Sequence, residues 1–223
     1  MNVASIPISR SPLHHWHATH GARFTDAHGW QVPASYSSVE RETDAVRAAV
    51  GLADISAFSR FSVMGPVRGL ELAAKPHDVA AIDAGGPALA CRLRADQLLA
   101  LASTSNPTLI RNRLAQVFQP RVLTDVTSTF AGFCLVGPAI LEVLRRLTPL
   151  DVSSIAFPQG SCAETSLAGV QAVLVKPPAS PQSTVRVYVA WDVGEYVWER
   201  LVASGSRLGL VVIGMEAMAR LSL

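Results

Sequence analysis

Hydrophobic positions along this chain change period several times, and each change marks an element. Val39, Thr43, Val46 and Val50 recur at three- and four-residue steps, the spacing of one helix face. Ser37 and Glu40 have the S-x-x-E spacing of a capping box, and Gly51 suits a left-handed stop. Together they predict a helix over 39–50. Two later runs share a phrase: Phe61-Ser-Val-Met-Gly65-Pro66 and Phe133-Cys-Leu-Val-Gly137-Pro138, 72 positions apart. Each reads as a buried strand, a glycine turn and a proline suited to the first helical position. The phrase predicts helices over 66–74 and 138–147, stopped near Pro76 and Pro149.

The second half of each unit echoes more faintly. Gln97–Ala102 reads as a strand, and Asn106-Pro107 caps a helix carrying Leu109, Ile110, Leu114 and Val117. Val185–Ala190 reads as a strand, and Asp192-x-x-Glu195 caps a helix carrying Tyr196, Val197 and Leu201. Two units of strand, helix, strands, helix predict an α+β chain, a duplicated two-subdomain fold with antiparallel sheets and packed helices. The boundaries fall at an N-terminal arm (1–36), a first subdomain (37–120) and a second (121–223). Ala84–Pro87 reads as a turn, and Lys176–Gln182 as a polar hairpin loop or short linker.

Composition narrows the function classes. Of 223 residues 49% are hydrophobic and 16% charged, against roughly 25% charged in an average domain. That balance excludes intrinsic disorder. The net charge of +2 gives no electrostatic footprint for nucleic acid. All cations but Lys75 and Lys176 are arginine, scattered rather than clustered. The apolar stretches Thr127–Leu141 and Leu208–Met215 are too short to cross a bilayer, and Met1–Arg10 does not read as a secretory signal. Cys91, Cys134 and Cys162 form no C-x-x-C pair, so neither a zinc site nor a disulfide framework is expected, and a reducing cytoplasm is. So sparse an ionic surface also predicts a homo-oligomer or a hetero-subunit complex.

Candidate chemistry is thin. His14, His15, His17, His20 and His28 crowd the first thirty residues; they read either as a metal site lacking an evident third ligand or as a solvated arm. The second reading is preferred, and no metal is expected. Phosphate-binding glycine loops, G-x-S-x-G and H-E-x-x-H are absent.

One set of motifs goes further. Ser11-Pro-Leu13, Gly21-Ala-Arg-Phe24, Gly29-Trp-Gln-Val-Pro33, Tyr36, and Ala45-Val-Arg47-x-x-Val50-Gly-Leu52-x-Asp54-x-Ser56 resemble the aminomethyltransferase (T protein) of the glycine cleavage system. Pro149-Leu-Asp-Val152 and Phe157-Pro-Gln-Gly-Ser-Cys-Ala163 resemble the gamma subunit of heterotetrameric sarcosine oxidase, of the same superfamily. Gly214-Met-Glu-Ala-Met-Ala-Arg220 resembles the close of the family's folate-binding region. The resemblance implies a tetrahydrofolate-binding body of two related α+β subdomains, without the C-terminal β-barrel that T proteins add.

The implied cofactor-binding positions are Ser56, Phe58, Leu89, Ala90 and Met218. Phe58 stands where the family has a methionine that packs on folate. Leu89 and Ala90 fall in the run after Gly85-Gly86, where the family has aspartates. Met218 stands near the family's arginine, and the 176–182 loop lacks the family's glutamate. Tetrahydrofolate is therefore expected to bind weakly or not at all, and no catalytic residue is assigned. The expected function is a degenerate, non-catalytic subunit or scaffold of amine or one-carbon metabolism, with a flavin amine oxidase as the implied partner. Two alternatives stay open: a folate-dependent one-carbon transferase with a rearranged site, and a cavity enzyme using the N-terminal histidines or Cys162.

Overall fold

The computed structural model describes residues 8–27, 29–65, 75–102, 106–180 and 182–223. The helix expected over 66–74 and the side chain of His28 lie outside the described residues. The chain opens with β1 (Ser9–Arg10), α1 (His14–Thr19), β2 (Arg23–Ala27), β3 (Trp30–Ser35), α2 (Val39–Ala48) and β4 (Val50–Asp54). β5 (Arg60–Met64), β6 (Val79–Asp83), β7 (Pro87–Arg94), β8 (Gln97–Ala102), α3 (Pro107–Phe118) and β9 (Val122–Asp125) follow. The last part holds β10 (Phe130–Val136), α4 (Ile140–Leu144), β11 (Ser161–Leu167), β12 (Val170–Lys176), β13 (Thr184–Ala190), α5 (Gly194–Gly205), β14 (Leu210–Val212) and α6 (Met215–Arg220).

Two sheets carry the duplication. One has the order β6-β7-β8-β5-β9, the other β11-β12-β13-β10-β4-β14. In each, a three-stranded meander ends beside the strand of the repeated phrase. Val63 pairs with Leu98 on β8, and Leu135 with Val185 on β13. The turns repeat too: Gly65 N–H donates to Asp96 O at 2.9 Å, and Gly137 N–H to Ser183 O at 3.0 Å. Both glycines have positive φ, +116° and +124°, which other L-residues adopt only with strain. The phrase recurs because the same backbone turn is made twice. The pairing is antiparallel except for two short edge strands, β1 on β3 and β14 on β4, which are parallel.

The leading strands are exchanged. β4 precedes β5 in the chain but pairs with β10, and β9 precedes β10 but pairs with β5. Each sheet therefore takes a strand from across the 120/121 position, so neither completes itself from consecutive residues.

Strand alternation separates three apolar layers. Leu13 just before α1, Trp16 of α1, Val143 of α4 and Trp198 of α5 cover the outer face of the six-stranded sheet. Ile110, Leu114 and Phe118 of α3 cover the outer face of the other. Between the sheets lie Leu89, Cys91, Leu99 and Leu101 against Cys134, Val136, Val173 and Val175. The order is helices, sheet, sheet, helix. Among the described residues, no helix is long and apolar enough to cross a membrane.

Several expectations need correction. The first helix ends at Ala48, not Val50, because Val50–Asp54 is committed to the ladder with β10 and β14. Gly51 is no helix stop: a Cβ there would lie 2.4 Å from Val46 Cγ2. The N-cap is Ser38, whose hydroxyl accepts from Arg41 N–H, rather than the Ser37/Glu40 box. Glu42 does the reciprocal work instead, accepting from the N–H groups of Tyr36, Ser37 and Gly214 at 2.7–2.8 Å. The helix expected over 138–147 is the short α4. α5 has no side-chain cap from Asp192; a 3-10 turn at Trp191–Val193 leads in, and Gly194 N–H bonds Trp191 O. The N-terminal arm is not solvated: from Leu13 onward it buries Trp16 and His17 against the six-stranded sheet.

Where the exchanged strands leave their sheets, a reciprocal motif appears. Asp54 Oδ1 accepts from Ser56 N–H at 2.8 Å, and Asp125 Oδ1 from Thr127 N–H at 2.9 Å. Ser56 Oγ then accepts from Gly132 N–H at 3.1 Å, and Thr127 Oγ1 from Arg60 N–H at 3.0 Å. The Arg60 side chain breaks the symmetry by lying over Gly132. Its Nη2 donates to Ser56 O, Thr127 O and Phe130 O at 2.6–3.0 Å. A Cβ on Gly132 would sit 2.5 Å from Arg60 Nη1. Arg60→Met leaves several buried carbonyls without donors, each costing about 1–3 kcal/mol. We expect a loss of at least about 2 kcal/mol, read from the urea midpoint, and a comparable loss for Gly132→Ala. Near-wild-type midpoints for both would show that this contact does not hold the sheets together.

Candidate functional site

The inter-sheet layer is where the expected site residues gather. Leu89 (8% exposed) and Met218 (2%) belong to it, and Phe58 packs against it, half-buried. Ala90 does not join them. It follows Leu89 on β7, so its side chain points through the sheet to the α3 side. Ser56 is buried in the reciprocal turn, its hydroxyl bonded to the Gly132 backbone. Three of the five positions thus share one layer.

Two cavities open beside that layer. The first, about 390 Å³, is lined by Leu93, Leu99, Phe130, Val173 and Tyr188, with Glu164 its one acidic residue. Glu164 faces Arg94 at 3.6 Å. The second, about 450 Å³, is lined by Ile82, Ala88, Leu89, Pro177 and Arg186, and none of its lining residues is acidic. β13 supplies Tyr188 to the first and Arg186 to the second. Its alternation sends Val185, Val187 and Val189 to the outer core, leaving Arg186 and Tyr188 to face the other sheet.

The electrostatics of the layer are cationic. Arg60 is 1% exposed and Arg186 8%, and Arg60 lies over the Tyr188 ring at 5.6 Å. Burial pulls the Arg60 guanidinium below its ordinary value, but arginine remains charged. Burial pushes the Tyr188 phenol up to about 12, against the pull of Arg186 and Arg60. It raises the Cys134 thiol to about 11, and that of Cys91 as well, beside Cys162. These are unreactive thiols, all three cysteines being free and buried. The arrangement can hold negative charge and bury apolar surface. It offers no paired acid and base in hydrogen-bond reach of a common ligand.

The N-terminal histidines do not assemble a metal site: among the described residues, no group of three His, Cys, Asp or Glu side chains is placed to hold an ion. His20 stacks on Trp16 with ring centroids 3.8 Å apart, and His14 packs on Phe24. His17 has a different role. Its Nε2 lies 2.9 Å from Asp54 Oδ2, and its Nδ1 2.6 Å from the Tyr36 hydroxyl. Burial and the charges of Asp54 and Glu42 push the Tyr36 phenol well up, so its O–H donates to Nδ1 and Nε2–H is left for Asp54. Ser11 Oγ donates to the same carboxylate. Burial opposes the charge on Asp54, but His17, Ser11 and the Ser56 N–H together hold its carboxyl below the usual value. Ser11, His17 and Asp54 are buried, Tyr36 is partly buried, and none of the four lines either cavity. The network locks the arm to β4.

Sequence reasoning missed Arg60, Arg186 and the Asp54–His17 pair. Two signals were available. Leu52-Ala-Asp54-Ile-Ser56 and Leu123-Thr-Asp125-Val-Thr127 are one motif written twice. Within Thr184–Ala190, Arg186 and Tyr188 alternate with three valines, which puts them on one face of a strand.

Duplicated meanders joined by exchanged strands, with a cationic layer between them, define the fold class; sequence comparison supplies the family. The GCVT N-terminal domain family matches residues 13–71 and 86–223, and the chain belongs to it. Aminomethyltransferase of Listeria welshimeri is 22% identical over 215 residues, 89% of this chain and 59% of the relative. That of Saccharopolyspora erythraea is 24% identical over 232 residues, 96% of this chain and 63% of the relative. The chain thus spans about three-fifths of the length of these curated relatives. Among solved structures, aminomethyltransferase T of the glycine cleavage system from Bartonella henselae superposes with a TM-score of 0.77 at 17% identity, over 96% of this chain and 62% of that one. A chain of heterotetrameric sarcosine oxidase from Corynebacterium sp. U-96 superposes with a TM-score of 0.65 at 21% identity, over 91% of this chain and 97% of that one. These likenesses show the fold.

Removing Asp54 strands its partners in a buried site, which typically costs about 3–5 kcal/mol. We therefore expect Asp54→Asn to be strongly destabilising. Asp125→Asn, at the exposed copy of the same turn, should lose much less. Asp54 has a lowered folded pKa, so its stabilisation is full above the ordinary value of 3.8 and fades as pH falls through the folded value. The gap between wild type and Asp54→Asn should close in that acid range. Equal losses for the two variants at neutral pH would contradict this reading.

Proposed function

We propose that this chain is a non-catalytic subunit or scaffold of amine or one-carbon metabolism, working in the cytoplasm in a heteromeric assembly with a flavin-dependent amine oxidase. The observation that carries the reading is the nearly end-to-end match with a chain of a heterotetrameric sarcosine oxidase, 91% of this chain on 97% of that one. The chemistry of the inter-sheet layer supports it. A reduced pterin presents N–H donors, which need acceptors when buried. Leu89 stands where the resemblance implies a carboxylate, and the nearest charged group in the same cavity is the cation Arg186. Losing two or three charge-assisted bonds, at about 1.5–3 kcal/mol each, weakens a ligand by roughly a thousandfold or more. Apolar side chains exposed to solvent, Ile155 (93%) foremost, offer surface for a partner. Ile155 lies in the segment that Lys176 Nζ holds from below by donating to Val152 O and Phe157 O.

The competing reading, a folate-dependent aminomethyltransferase with a rearranged site, is supported by the similarity to aminomethyltransferases and by Glu164, which lines the first cavity with Tyr188. Calorimetric titration with tetrahydrofolate separates the two. We expect no binding tighter than about millimolar and no aminomethyl transfer. Co-expression with flavin amine-oxidase subunits of the same genome should give a stoichiometric, flavin-containing complex by sedimentation. Micromolar folate binding by the isolated chain, together with failure to form that complex, would move the assignment to the transferase.

A further inference from the structure

Arg186 is a buried cation that the fold leaves incompletely satisfied. Its Nη1 is enclosed and has no hydrogen-bond partner, although the Tyr188 side chain lies alongside the guanidinium. Arg60, equally buried in the same layer, has both terminal nitrogens bonded to backbone carbonyls. The backbone can therefore satisfy both terminal nitrogens of a guanidinium, with Nε of Arg60 left unpartnered, and at Arg186 it leaves a terminal nitrogen without a bond. Arginine cannot shed its proton in a protein, so the charge persists and calls for a counter-ion.

What faces that charge limits the ligand. Arg186 lines the second cavity, about 450 Å³, within the usual range for small-molecule pockets. Ile82, Ala88, Leu89 and Pro177 make its wall largely apolar, and none of its lining side chains is acidic. Of its three hydroxyl-bearing residues, Ser180, Thr184 and Ser222, the first two are committed to each other and to the loop: Ser180 Oγ lies 2.9 Å from Thr184 Oγ1, which donates to Gln182 O. Arg186 is thus the single cation in an apolar enclosure. One guanidinium matches one carboxylate in a planar fork, while a phosphate dianion would find too few donors.

From this we infer that the cavity at Arg186 binds a small organic monocarboxylate, its carboxylate on the guanidinium and its apolar remainder against Ile82, Ala88 and Leu89. The site is independent of the assembly proposed above, and its test uses the isolated full chain.

Hexanoate, its neutral isostere hexanamide, and inorganic phosphate are the probes, read by calorimetry and by thermal shift. Hexanoate should bind and raise the melting temperature, with hexanamide and phosphate at least about tenfold weaker. Arg186→Met should abolish the preference for hexanoate over hexanamide. Because it removes a buried charge, it should also melt no lower than the ligand-free wild type. Leu89→Asp places an internal carboxylate in the same cavity and should weaken hexanoate about tenfold or more. This keeps the test sharp should the first variant fold poorly. Equal binding of hexanoate and hexanamide by the wild type, undiminished hexanoate binding in Leu89→Asp, or no hexanoate binding at about 10 mM would each overturn the assignment. Phosphate binding as tightly as hexanoate would overturn the choice of carboxylate.

Discussion

The Arg60 guanidinium joins the two halves of this fold. Exchanging strands between duplicated sheets forces both Asp-x-Ser/Thr turns, with their backbone carbonyls, into the middle of the molecule. A buried carbonyl without a donor is expensive, and two turns arriving at one point bring several at once. One arginine from β5 answers carbonyls of both turns, Ser56 O and Thr127 O, together with Phe130 O. Gly132 lacks a side chain so that the guanidinium fits. The sheets could not be exchanged in this way without a fork of donors at that place.

The two copies of the turn have diverged in what surrounds them. Asp125 remains at the surface, whereas Asp54 is covered by the N-terminal arm and joined to Ser11, His17 and, through His17, Tyr36. An Asp–His–Tyr chain has the composition of a proton relay; here its middle member, His17, is fully buried against Trp16 and Trp198. Glu42 does similar work on α2, gathering two backbone N–H groups from the loop before it and one from the distant Gly214. In both places buried carboxylates fasten segments far apart in the chain, which helps a sequence with so few charges adopt one arrangement.

The inter-sheet layer shows how a family fold can keep its architecture while its chemistry changes. Resemblance implies carboxylates at the positions of Leu89 and Ala90; here the layer carries cations and apolar groups. Only Leu89 of that pair faces the layer, so a single position on β7 decides whether the cavity meets a ligand with an acid or with leucine. A leucine there makes the wall apolar and leaves Arg186 as the determining charge. The backbone framework rests on the glycine turns and the Arg60 fork, while the lining of the inter-sheet layer rests on a few alternating side chains.

Legible in the sequence were the two glycine turns, the strands that carry the repeated phrase and the helices near 39–48, 107–118 and 194–205, because these depend on local backbone conformation and on periodicity within a few residues. It also carried, unread, the repeated Asp-x-Ser/Thr motif and the alternation of Arg186 and Tyr188 with valines. It could not show that β4 and β9 change places, since strand pairing across some 80 residues leaves no local trace (Phe133 opposite Asp54). Nor could it show that the residues after Ala48 leave the helix for a sheet, a choice made by ladder bonds to β10. That Leu89 and Ala90, neighbours in the chain, lie on opposite sides of a sheet follows from period two only once the strand's faces are assigned. Whether an arginine ends in solvent, on four carbonyls or alone beside a cavity was decided by tertiary structure, because the neighbours that satisfy or strand a charge come from distant segments.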